Sequence, residues 1–247
     1  VAAHDPDATA DAPPIMASPC ESDPALLLCF SFDQATLPAS LPNEGSVSVA
    51  AQLTNVTSIA SPSGHAARID TTSEIFVPYA SAAVGMLSME MWFRVDTDPA
   101  DGTRAGLFDN AIGPDGMSLF LYRQDPGPHM IRCTFSGETI YFNAPGYTVG
   151  DWHHAACVCD ATTMTMTMYL DGASIGSNPG TCAPGGDLYD TVGLTIGQNN
   201  NNVPGTPAPV DNWLVGAIDG VKLWNVTLTA QQVRSHAGLA GYSPSQR

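Results

Sequence analysis

At 247 residues, with 44% hydrophobic and 13% charged residues, the chain has ample material for a core, and its length suits a single all-β domain. Eight lysines and arginines stand against 24 aspartates and glutamates, a net charge of −16, and Lys222 is the single lysine. With no basic stripe, nucleic acid is excluded as a partner, because phosphate neutralisation supplies most of that affinity. No run of about eighteen apolar residues occurs, so no membrane-spanning helix is expected.

Residues 1–19 mix Pro, Ala and Asp without periodicity, the composition of a tail or linker, and residues 20–247 are expected to form one domain. The opening Val1, in place of methionine, fits either a removed leader or a cut end. From residue 26 onward short strands alternate with Gly, Pro, Asn and Asp clusters, the mark of a sandwich or barrel. Strands are predicted at 26–32, 47–56, 66–69, 87–95, 105–108, 117–122, 130–135 and 139–143. The second half continues with 152–159, 163–170, 173–176, 192–197 and 213–224. The clearest alternation runs from Thr163 to Leu170, where Met164, Met166, Met168 and Leu170 share one face as core packing. Asp171-Gly172 then predicts a hairpin turn into Ala173. The only helical signal is a capping box, with Thr229 and Gln232 placed to bond reciprocally at the start of a short C-terminal helix.

Three ordered segments resemble the laminin G-like and pentraxin-like jelly rolls of the concanavalin A-like superfamily: SMEMWFRVD (88–96), DWHHAACVCD with MYLDGASIG (151–176), and LTIGQNN through VGAIDGVKLWNVTLTAQQV (194–233). CFSFDQ (29–34) and ARIDTTSEIFVP (67–78) are similar to the first strand and to the f-d-G-x-x-y-v-x-i-p region of those domains. The resemblance spans residues 26–238 and implies an all-β jelly-roll sandwich of two antiparallel sheets with a short C-terminal helix. It also implies that His154 is a packed, hydrogen-bonded side chain, not a ligand.

The resemblance further implies a structural calcium where the first and last strands meet, with Asp33, Asn43 and Asp219 as oxygen ligands. Gly220 follows Asp219 where the family usually has a second acidic residue, which removes one candidate ligand. Cys20, Cys29, Cys133, Cys157, Cys159 and Cys182 form an even set that favours disulfides over a zinc knuckle, and the sequence alone permits fifteen pairings. If 130–135 neighbours 152–159, Cys133 reaches Cys157 across the ladder, which leaves Cys159 for Cys182 and Cys20 for Cys29.

A second candidate site is the amide-rich loop after residue 197, with Asn199, Asn200, Asp211, Asn212 and Trp213 as a rim whose amides match sugar hydroxyls and whose indole stacks on a pyranose. The alternative is a solvated loop with Trp213 opening a core strand. Catalysis is not expected: the five glutamates never fall in E-x-D-x-x-E, and Glu90 has no second carboxylate beside it. Asn55 and Asn225 lie in Asn-Val-Thr acceptor patterns, relevant only in a eukaryotic secretory pathway. The expectation is a secreted or cell-surface, non-catalytic module that binds glycan or an extracellular protein. Its rival is an extracellular assembly subunit that self-associates through residues 1–19.

Overall fold

The computed structural model describes residues 20, 23–78, 85–110, 116–125, 127–135, 138–182, 193–199 and 212–238; the tail at 1–19 lies outside them, as do Asn200 and Asp211. Sixteen strands appear among these residues. The first eight are β1 (Leu26–Phe30), β2 (Ser40–Pro42), β3 (Ala50–Thr54), β4 (Thr57–Ser61), β5 (Gly64–Ile69), β6 (Glu74–Val77), β7 (Ser88–Val95) and β8 (Arg104–Asp109). They are followed by β9 (Ser118–Arg123), β10 (His129–Phe135), β11 (Glu138–Asn143), β12 (Trp152–Asp160), β13 (Thr165–Leu170), β14 (Ala173–Pro179), β15 (Leu194–Ile196) and β16 (Gly216–Trp224). One helix, α1 (Ala230–His236), closes the domain, its N-cap Thr229 forming the reciprocal box with Gln232.

All strand pairs are antiparallel, and they build two sheets. The first runs β14-β13-β12-β7-β16-β5-β4, with β1 also on β16; the second runs β11-β10-β9-β8-β15-β6-β3-β2. Between them lies the main core, fed by alternate residues such as Met89, Met91 and Phe93 of β7, and Leu119 and Leu121 of β9. Ala155, Cys157 and Cys159 of β12 face this core, whereas Ala156 and Val158 face a smaller cluster under α1 with Leu26, Trp224 and Val233. Covered on both sides, β12 reads as a continuous apolar run instead of an alternating one.

The predicted methionine stripe is shorter than its sequence. Met166, Met168 and Leu170 are core, but Met164 lies in the 161–164 turn at φ +51° and is exposed, because Asp160 captures the Thr162 and Thr163 N–H groups and bends the chain before the strand starts. Cys20–Cys29, Cys133–Cys157 and Cys159–Cys182 are disulfide-bonded, with Cα separations of 5.7, 6.5 and 5.6 Å. Cys133 belongs to β10 of the second sheet and Cys157 to β12 of the first, so this bridge ties the sheets across the core and does not cross a ladder between neighbouring strands. No helix among the described residues is long and apolar enough to cross a membrane.

Candidate functional site

Along one edge β16 pairs first with β5, through Gly216 to Ile218, and then with β1, through Val221 to Trp224. Between these two partners the ladder to β7 is interrupted by a bulge, where Gly220 sits at φ +54°, a conformation that a side chain would strain. Asp219 occupies this seam, fully buried, and its Oδ2 accepts from Ser61 Oγ at 3.1 Å and from Ser63 Oγ, both in the β4–β5 hairpin. Asp33, just past β1, accepts the His65 N–H at 3.3 Å from the same hairpin. Asp219 lies within reach of the Asp33 charge. Burial first, and then the Asp33 charge, push Asp219 up to about 6 against the pull of the Ser63 hydrogen bond, while burial and the Glu44 charge also raise Asp33.

The structure thus brings Asp33 and Asp219 together, as the resemblance implies, but leaves Asn43 out. Asn43 Oδ1 accepts the N–H groups of Cys29 (2.6 Å) and Gly45 (3.1 Å), and its Nδ2 donates to the carbonyls of Leu27 (2.9 Å) and Val47 (2.6 Å). Its amide is spent clamping the 43–47 turn to β1, so no lone pair remains for a cation. Asp219 Oδ1, by contrast, is buried without a side-chain hydrogen-bond partner among the described residues. Two carboxylates and two serine hydroxyls form a hard-oxygen set that suits calcium in kind, completed by carbonyls or water; among the described residues no three His, Cys, Asp or Glu side chains converge.

The amide-rich rim differs from expectation where it is described. Asn199 and Asn212 are buried, at 2% and 5% exposure, and Trp213 is half-buried, while Asn200 and Asp211 lie outside the described residues. The reason is a close approach. The Gln198 and Asn199 backbone lies directly on Gly106 of β8, where any Cβ would collide with it, so this segment packs onto the outer face of the second sheet instead of standing into solvent.

That face holds side chains that the sequence did not single out. Phe120 of β9 points away from the core, fully buried, with the guanidinium carbons of Arg104 and Arg132 each 4.6 Å from its ring centroid. Arg132 Nη2 donates to Ser118 Oγ at 3.1 Å and Arg104 Nε to Asn212 Oδ1 at 3.2 Å. Across the ladder from Arg132 lies Tyr141, 45% exposed and edge-on to Tyr122. The signal was available only as outward positions between core residues on three strands, whose register fixes the meeting.

Glu90, alone in the sequence, is a structural hub. Buried on β7, it lies 2.9 Å from His236 of α1, 3.4 Å from Lys222, 3.3 Å from the Trp224 indole N–H and 3.6 Å from His154. Burial alone would raise its carboxyl, but the Lys222 charge and the hydrogen bonds from His154 and His236 hold it well below the usual range. His154 is therefore packed, at 2% exposure, beside the Trp92 ring.

The antiparallel jelly-roll sandwich and these sequence motifs define a class, and the comparison with known families agrees. The chain belongs to the concanavalin A-like lectin/glucanases superfamily, whose laminin G family model matches residues 70–234. Over 106 residues, 41% of the chain, it is 30% identical to the sushi, von Willebrand factor type A, EGF and pentraxin domain-containing protein 1 of Rattus norvegicus, and the match spans 3% of that protein's length. Among solved structures it shares its fold with domain 4 of AbnA, a GH43 extracellular arabinanase from Geobacillus stearothermophilus, in complex with arabinotriose (TM-score 0.60, 20% identity, 86% of this chain and 98% of that one). The binding domain of Paraclostridial Mosquitocidal Protein 1 is likewise similar (TM-score 0.62, 15% identity, 86% of this chain and 52% of that one).

Proposed function

We propose that this chain is a secreted, non-catalytic glycan-binding module stabilised by a calcium ion at the β1–β5 seam. The observation that carries the binding reading is the outer face of the second sheet, where an exposed tyrosine stands across the ladder from Arg132, which shares the Phe120 ring with Arg104. An aromatic platform flanked by hydrogen-bond donors is what a sugar ring requires: its C–H face packs on the aromatic and its oxygens meet the donors. The arabinotriose complex of the arabinanase domain supports a saccharide ligand for this architecture. Three disulfides suit an oxidising, extracellular setting. Glu90 is consumed by His236, Lys222 and Trp224, and of the Asp33 and Asp219 carboxylates one is exposed and the other fully buried under the Ser61 and Ser63 hydroxyls, which favours binding over glycoside hydrolysis.

Calcium is supported by the buried Oδ1 of Asp219, without a side-chain hydrogen-bond partner among the described residues, beside a second carboxylate. Titration of calcium into chelator-treated protein is expected to release heat and raise Tm; absence of both removes the ion from the reading. Binding to a glycan array, lost when Tyr141 is changed to Ala, is the expected result for the module itself. Silence across a broad array overturns it.

A further inference from the structure

We propose that the outer face of the second sheet recognises an acidic saccharide, the anionic group of the sugar held by Arg104 and Arg132 and its ring lying toward Tyr141. This deepens the glycan-binding reading above and rests on it.

The case starts from charge. In a chain of net charge −16, the basic side chains on the strands are otherwise spent on carboxylates: Arg68 and Arg94 on Asp96, Arg123 on Asp98 and Asp101, and Lys222 on Glu90. Arg104 and Arg132 are the exceptions, with no ion pair among the described residues. Both stack on the same ring, so their guanidinium carbons lie no more than twice 4.6 Å apart. Burial first, and then repulsion by the Arg104 charge, lowers the Arg132 pKa, opposed by Tyr141 and Asp109. An anion seated between the two guanidinium groups would relieve that repulsion.

Hydrogen-bonding capacity points the same way. Arg132 Nε, Gln198 Nε2 and Asn199 Nδ2 are all donors, all buried and all without an acceptor among the described residues. The Gln198 and Asn199 backbone lies over Gly106, which pairs with Phe120, so the segment that carries two of these donors packs on the same face as the arginines. Among the described residues Arg104 commits only its Nε, to Asn212. The patch carries N–H groups left unmatched among the described residues, which fits a carboxylate or sulfate taken up by guanidinium forks better than it fits the hydroxyls of a neutral sugar alone. Tyr141, opposite Arg132 on β11, supplies the surface for the attached ring.

The test is an array carrying neutral oligosaccharides, uronate-containing oligosaccharides and sulfated oligosaccharides, probed with the full chain. Acidic glycans are expected to bind at least about tenfold more tightly than neutral ones, and whichever acidic arm binds identifies the anion. Arg104→Gln and Arg132→Gln are each expected to lose about tenfold or more for acidic glycans while Arg132→Lys, which keeps the charge but not the fork, falls between. Should a Gln variant fail to fold, competition of the parent protein by free glucuronate or inorganic sulfate supplies the same readout. Equal binding of neutral and acidic glycans, or acidic binding indifferent to these variants and competitors, overturns the acidic-sugar assignment and leaves the glycan-binding reading standing. Silence on every glycan overturns both.

Discussion

The carboxyl of Asp219 holds its proton in the folded protein at pH values where it would lose it in the unfolded chain. Burial raises it from 3.8 to about 6, so the native state binds more protons than the unfolded state across that window. Stability therefore falls as pH rises from about 4 to about 6, by on the order of 3 kcal/mol once ionisation is complete. Asp219→Asn is expected to withstand more urea than the parent at about pH 7.5 in chelator and to match it near pH 4. Added calcium should raise the parent's urea midpoint at neutral pH and leave the variant's unchanged. His153 shows the opposite sign. Burial would lower its pKa, but the hydrogen bond and charge of Asp171, with the Thr148 carbonyl, raise it above the ordinary 6.5. Its contribution is complete below that ordinary value and is lost as pH rises through the folded one. Asp171→Asn, which tolerates the φ of +49° at that turn, is expected to lower Tm at about pH 5.5 and to change it little at about pH 9. The Asp33–Asp219 pair was legible because the family resemblance implied it. Arg104 and Arg132 were not, since 28 positions separate them and only the β8-β9-β10 register places both on Phe120.

Among the elements, α1 is held less by its seven residues than by what it docks on. Val233 fills the outer cluster, and His236 reaches Glu90 while stacking on Trp224 at 5.5 Å. Removing one partner of a buried charge leaves the other uncompensated, so Lys222→Met is expected to cost about 3 kcal/mol in urea unfolding. Its loss should exceed that of the same change paired with Glu90→Gln. The Cys133–Cys157 bridge closes a 24-residue separation through the core, and Cys133→Ala with Cys157→Ala is expected to lower stability by about 3 kcal/mol. The capping box was readable because it is local: its two residues are three apart and need no tertiary partner. β2, β4 and β6 were not read as strands. SLP and TSIAS carry too few apolar residues to show a period of two, and these short segments are strands because a longer neighbour offers its backbone. EIFV alternates, but over only four residues.

At the scale of the molecule, the three family-like segments fall on β7, on β12 to β14, and on β15 through α1, so most of them are neighbours in the first sheet. That is why their order along the chain was informative: sheet adjacency ties their sequences together. The second sheet's outer face is where sequence reading failed, because residues there meet Gln198, Asn199 and Asn212 from distant points of the chain, an approach that no local pattern encodes. The net charge of −16 opposes compactness throughout, and Tm is expected to rise as sodium chloride is raised from about 10 mM to about 150 mM, where screening shortens to roughly 8 Å. The burial of Lys222 against Glu90 has a practical outcome of its own. It is the only lysine in the chain and its side chain is 8% exposed, so an amine-reactive dye finds no lysine on the folded surface. Dye incorporation at that position then counts opened molecules, a covalent clock for unfolding written into the sequence.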